Sequence, residues 1–158
     1  MDSPAAHRAA RLQQLLSHPG IVRSLLPDEP LRPARRGGAA GIDLTVHLTS
    51  YRSLPLSCIA AIELSIDAEP IAVNRLLFVL QGNEYRVADF PALSAVWWFI
   101  LDPAVIFIPR DPPLSAGAHD VAATLVTVEP YMTAGRFAFH ASAMKRLTVD
   151  RSNQVSVQ

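Results

Sequence analysis

Cysteine occurs once, as Cys58, which excludes an internal disulfide and a zinc site built on thiolates. A reducing, cytoplasmic setting is expected. Lysine is also nearly absent: thirteen of the fourteen basic residues are arginine, which needs no more than a GC-rich bacterial genome. Neither sign of charge prevails, with 14 basic and 14 acidic side chains, so nothing draws the chain to nucleic acid or to an anionic membrane. The longest unbroken apolar run, residues 96–101, falls far short of the roughly 20 residues that cross a bilayer. No apolar stretch follows the first basic residues as a secretory signal requires.

Catalytic motifs are missing as well. None of His7, His18, His47, His119 and His140 stands in a metal-binding spacing such as His-x-His or His-Glu-x-x-His. Ser53, Ser57 and Cys58 share one loop, but no Gly-x-Ser-x-Gly elbow surrounds them and no base lies nearby. Cys58 reads as a structural thiol. Asp43 and His47 lie four residues apart on one strand face, roughly 13 Å, too far to form a dyad. His119 and Asp120 point to opposite faces of a strand, so their adjacency carries no chemistry. The glycines of Gly37-Gly38-Ala39-Ala40-Gly41 precede a strand and lack the helix terminus that binds phosphate. The expectation is a chain with no catalytic residue, no metal and no cofactor of its own.

What is present is a β pattern. Half of the 158 residues are apolar, enough for one sizeable core. Ser3-Pro4 followed by Ala5, Ala9, Leu12 and Leu16 predicts a short N-terminal helix, with Arg8 and Arg11 off its apolar stripe. Residues 27–38 combine three prolines with a glycine pair and read as a flexible arm. From Ile42 the period becomes two: Ile42, Leu44, Val46 and Leu48, then Ile62, Leu64 and Ile66. Strands at 76–80 and 84–87 flank a turn at Gln81-Gly82-Asn83. Residues 96–101 and 105–108, apolar on both faces, predict two core strands in a hairpin-like arrangement across Asp102-Pro103. A long strand follows from His119 to Val128, with weaker strand signals at Phe137, Phe139 and 144–149. Eight or nine short strands with regular turns predict an antiparallel β-sandwich, with a closed barrel as the fallback. The predicted organisation is helix and arm over 1–40, sandwich over 41–150 and a loose tail over 151–158.

The residues that could carry a function are aromatic and basic, and they cluster in loops: Tyr51 and Arg52, Trp97 and Trp98, Tyr131 and Met132, Arg136 and Phe137. Tyr, Trp and Arg dominate binding hot spots when they gather on a surface. Because Trp97 and Trp98 are adjacent, on a strand one indole must face away from whatever the other packs against.

The stretch Tyr51-Arg52-Ser53-Leu54-Pro55-Leu56-Ser57-Cys58-Ile59, with Asp67-x-Glu69-Pro70 after the next strand, resembles the beta subunit of bacterial C-glycoside deglycosidases. Further matches are Phe78-x-Leu80-x-Gly82-x-Glu84-Tyr85, Trp97-Trp98-Phe99, Leu114-Ser115-x-Gly117-x-His119-x-Val121, and Pro130-Tyr131-Met132 with Gly135-Arg136-Phe137. The likeness spans roughly residues 41–149. It implies a β-sandwich that joins a larger alpha subunit, a TIM barrel similar to sugar isomerases and epimerases, which holds a divalent metal, manganese. The pair would cleave the carbon–carbon bond of 3-oxo-C-glycosides by acid and base chemistry. The implied contact surface, to partner or substrate, comprises Tyr51, Arg52, Pro55, Leu56, Trp97, Trp98, Tyr131, Met132, Arg136 and Phe137. Two other readings remain open: a stand-alone carbohydrate-binding module with an exposed Trp platform, and an autonomous enzyme of cupin type, which would need clustered His and Glu ligands.

Overall fold

The computed structural model describes residues 24–50, 52–128 and 138–150. The predicted N-terminal helix and the tail after Asp150 lie outside them, as do Tyr51, Tyr131, Met132, Arg136 and Phe137. Eleven strands follow in order: β1 (Arg32–Arg36), β2 (Ala39–Val46), β3 (Leu54–Pro55), β4 (Ile59–Ile66), β5 (Glu69–Pro70), β6 (Leu77–Leu80), β7 (Asn83–Arg86), β8 (Trp97–Trp98), β9 (Ala104–Pro109), β10 (Gly117–Val128) and β11 (Ala138–Val149). Three short 3-10 turns, Leu56–Cys58, Val73–Arg75 and Val87–Ala92, make up the helical content of the described residues.

The period-two pattern sorts nine of these strands into two antiparallel sheets around one core, and β3 and β8 pair with each other. A five-stranded sheet runs β1-β2-β9-β6-β7 and a four-stranded sheet runs β11-β10-β4-β5. Ile42, Leu44 and Val46 of β2, Phe78 and Leu80 of β6, and Ile106 and Ile108 of β9 meet Ile62, Leu64 and Ile66 of β4 and Val121 and Leu125 of β10. The fold is the expected all-β sandwich. Its two sheets are also stitched along one edge: Leu31 donates to the Thr148 carbonyl and accepts from the Asp150 N–H, both at 2.8 Å, in a parallel bridge to Val149. That edge goes part of the way toward a barrel.

Two sequence expectations need correction. The stretch read as an arm contains β1, and Leu31 just before it is completely buried. Gly37 and Gly38, taken as flexible, have φ of 57° and 79° and form the two-residue turn of the β1–β2 hairpin, a geometry that demands positive φ at both positions. Pro33 is tolerated because β1 is an edge strand. The second correction concerns residues 96–108. β8 does not pair with β9; it pairs with β3, placing Leu54 opposite Trp98 and Pro55 opposite Trp97. Asp102-Pro103 suits a tight hairpin turn poorly, because type I′ needs positive φ at the proline and type II′ needs it at Asp102, where the following proline favours extended backbone. β9 instead enters the centre of the five-stranded sheet, between β2 and β6.

Two positions respond in opposite senses to adding or removing a Cβ. Gly41 crosses β9 where an added Cβ would collide with the Ile108 carbonyl and lie 2.7 Å from the Phe107 ring. Phe107 is itself buried on the side of β9 away from the core, beneath the Arg36 guanidinium, which lies 6.0 Å from the ring centroid. Arg36 is held there by Asp43, with Nη2–Oδ2 at 2.8 Å and Nε–Oδ1 at 3.2 Å, and by Glu84 at 3.7 Å. The hydrogen bonds to Asp43, more than any other cause, raise the Arg36 pKa. Ala68, by contrast, is an L-residue at φ 66° in the β4–β5 turn, a conformation that costs roughly 1 kcal/mol outside glycine. Gly41→Ala is therefore expected to destabilise the chain by about 2–4 kcal/mol and Ala68→Gly to stabilise it by about 0.5–1 kcal/mol. Denaturant titration of the two variants against the parent checks both signs.

Candidate functional site

The loop and the Trp-Trp stretch singled out in the sequence meet in space. Besides the β3–β8 ladder, the Leu56 N–H donates to the Val96 carbonyl at 2.8 Å and the Ser57 N–H to the Leu93 carbonyl at 3.3 Å. The Ser53 hydroxyl accepts the Ile100 N–H at 2.8 Å. Trp98 is completely buried, edge-on against Phe78 at 5.1 Å between ring centroids, and Phe78 in turn meets Phe90 at 5.2 Å. A buried indole needs a partner for its N–H, and the Asp102 carbonyl supplies one at 2.8 Å. Asp102 is fixed twice more, by its own N–H to the Phe99 carbonyl and by the Gln81 side-chain amide on its carboxylate, both at 2.9 Å.

With Trp98 turned inward, alternation along β8 turns Trp97 outward, and in the turn that follows, closed by the Asp102 N–H on the Phe99 carbonyl, Phe99 and Leu101 are exposed as well. Their exposures are 38%, 51% and 70%. The result is a ridge of three large apolar side chains on a backbone tied down at nearly every residue. Arg52, half-exposed, stands on the adjoining segment. The expected contact surface is thus divided. Trp97 and Arg52 are accessible, whereas Pro55, Leu56 and Trp98 are buried. Tyr51, Tyr131, Met132, Arg136 and Phe137 lie outside the described residues. Phe99 and Leu101 were missed as exposed residues because the run 96–101 reads as one strand buried on both faces, whereas a turn follows Trp98.

A second polar cluster lies one strand length away, roughly 25 Å along β4. The Asp67 carboxylate, in the β4–β5 turn, reaches His119 Nδ1 at 2.6 Å and accepts the Asp120 N–H at 2.9 Å. His119 Nε2 lies 2.8 Å from the Ser115 carbonyl and 3.5 Å from its hydroxyl. The alternation that sends Asp120 to solvent sends His119 inward, and its partner is 52 residues upstream. Bonding to Asp67 chiefly, then to the Ser115 carbonyl, raises the His119 pKa above its ordinary 6.5. The same bond to His119, with the Asp120 N–H second, lowers that of Asp67. Despite its Asp, His and Ser, this cluster is not a nucleophilic triad, because the nitrogen that would take a serine proton already faces a carbonyl oxygen.

Other chemistry is sparse. Burial, the largest cause, pushes the Cys58 thiol up, away from the thiolate that would make it reactive. Among the described residues no three or more His, Cys, Asp or Glu side chains converge as a metal site would need. No helix among them is long and apolar enough to cross a membrane.

The family model for the C-glycoside deglycosidase beta subunit matches residues 23–131. Over 93 residues, 59% of this chain and 70% of the relative, it is 33% identical to the 3'-dehydrocarminate deglycosidase beta subunit of a Microbacterium species. It is 30% identical over 112 residues, 69% of this chain and 85% of the relative, to a C-glycoside deglycosidase beta subunit of Arthrobacter globiformis. A beta subunit from Microbacterium trichothecenolyticum is 35% identical over 88 residues, covering 55% of this chain and 66% of its own length. On the extent of the family match and the length shared with these relatives, the chain belongs to the C-glycoside deglycosidase beta subunit family.

Proposed function

We propose that this chain is the non-catalytic beta subunit of a metal-dependent C-glycoside deglycosidase that works in the cytoplasm and cleaves the carbon–carbon bond of 3-oxo-C-glycosides. The alpha subunit is a TIM barrel similar to sugar isomerases and epimerases, and it carries the acid and base residues and the divalent metal, manganese. The observation that carries this reading is the ridge of Trp97, Phe99 and Leu101. Three neighbouring large apolar side chains held in water gain free energy when a second surface covers them, at about 25 cal/mol per Å² of apolar area. Because Trp98, Asp102 and Ser53 already fix the backbone beneath them, little further order is lost on association. The relatives' names support the subunit role: each is the beta subunit of a deglycosidase. The metal is assigned to the alpha subunit because that is where the family resemblance implies it.

One observation keeps the carbohydrate-binding module as the second reading, the part-exposed indole of Trp97, which could stack on a sugar ring. The two readings separate on the same variants. Phe99→Ser combined with Leu101→Ser should weaken capture of the co-expressed alpha subunit by about 100-fold while leaving the melting temperature within a few degrees, as expected for hot-spot residues outside the core. Unchanged capture would remove the ridge from the interface, and binding of glycans by the isolated chain, lost on Trp97→Ala, would favour the module instead. Metal analysis after purification should find the ion with the alpha subunit or the complex. A stoichiometric metal in the beta chain alone, or cleavage of a 3-oxo-C-glycoside by it alone, contradicts the proposal.

A further inference from the structure

At the end of the sandwich remote from the ridge, a cavity of about 630 Å³ opens between the β4–β5 turn, the Val73–Arg75 turn and the loop 110–116. His119 forms part of its wall and is buried, with Leu147 beside it on β11. Its two ring nitrogens meet the Asp67 carboxylate at 2.6 Å and the Ser115 carbonyl at 2.8 Å. Neither acceptor brings a hydrogen, so each nitrogen must donate one, and the ring is held as imidazolium. Removing a proton leaves the one on Nδ1, which faces the stronger, charged acceptor. Nε2 then points a lone pair at the Ser115 carbonyl, which is repulsive, while the Ser115 hydroxyl, 3.5 Å away, is the nearest group able to donate to it.

We propose that His119 is a protonation-operated latch. Charged, it grips the Ser115 carbonyl and clamps the loop 110–116 to the Asp67–Ala68 turn; neutral, it exchanges that carbonyl for the Ser115 hydroxyl and releases the loop over the cavity.

The groups around the ring set the balance. Asp67 on the turn raises the His119 pKa and Arg110 on the loop lowers it, with Asp67 the stronger influence. Glu69 of β5 is drawn toward Arg110 at 3.8 Å, and Arg75 and Asp111 line the same cavity. Asp120 turns to the opposite face, 3.9 Å from Arg146. The signs follow by linkage. The His119 contribution to stability is complete below the ordinary histidine value of 6.5 and is lost as pH rises through the raised folded value. The Asp67 contribution is complete above the ordinary 3.8 and is lost as pH falls through its lowered folded value. Between those ordinary values the latch is fully closed, and alkaline pH opens it.

Nitrogen-15 NMR of the histidine rings in the 158-residue chain, followed from pH 5 to 9, tests this directly. Both His119 nitrogens should be protonated at pH 6, and the backbone amide signals of the loop 110–116 should titrate with the same midpoint as the ring. Ser115→Ala removes the hydroxyl that serves the neutral ring and should move the midpoint up; Asp67→Asn removes the carboxylate that serves the charged ring and should move it down. If Asp67→Asn fails to fold, Ser115→Ala, which leaves the carbonyl in place, decides alone. A singly protonated ring at pH 6, loop amides that ignore the ring's titration, or a Ser115→Ala midpoint identical to the parent would each overturn the latch.

Discussion

Trp98 has no exposed surface, and its indole N–H ends on the Asp102 carbonyl; the layout of the functional end of this protein follows from those two facts. Burying Trp98 against Phe78 fixes the strand's phase, and strand geometry then sends Trp97 to the other side. The indole's need for an acceptor bends the chain back so that Asp102 lies within reach, which ends β8 after two residues and frees the chain to enter the five-stranded sheet as β9. The same constraint that completes the core therefore presents an apolar ridge outside it. A subunit whose role is to be covered by another chain needs such a surface held in advance, since side chains ordered only on binding lose entropy at that moment.

The opposite end follows a different rule. There polar groups are placed by turns, not by the core. Asp67 takes a positive φ in the β4–β5 turn, and its carboxylate bridges to β10 through a side chain and a backbone amide at once. Charges near the cavity sit close to an opposite partner, Asp67 with His119 and Glu69 with Arg110, so the region is polar without a strong net sign. One end of the sandwich thus presents exposed apolar side chains and the other paired charges.

Much of this was legible in the residues. The alternation in β2, β4 and β10 named the core positions, and Gln81-Gly82 marked a turn whose φ values of 51° and 79° are those of a two-residue hairpin. Gly37-Gly38 carried the same signal, but three nearby prolines made the segment read as an arm; glycine pairs are ambiguous because the freedom that suits a linker also suits a tight turn. The apolar run 96–101 suggested burial on both faces, whereas half of it is the ridge. Hydrophobicity alone cannot distinguish a residue buried in its own core from one awaiting a partner. The His119–Asp67 pair escaped notice because 52 residues of sequence separate groups that the β4–β10 pairing brings together.

From its sequence alone this protein was bound to be an all-β domain with a single core and a family likeness, since period-two patterning and motif order are properties of the chain read locally. Which strand pairs with which, which indole is buried, and which acid meets His119 were settled only in three dimensions. Those are choices among long-range contacts, and they depend on which pairing leaves the fewest buried polar groups without partners and the fewest gaps in the core, a comparison that exists only once the sheets are packed.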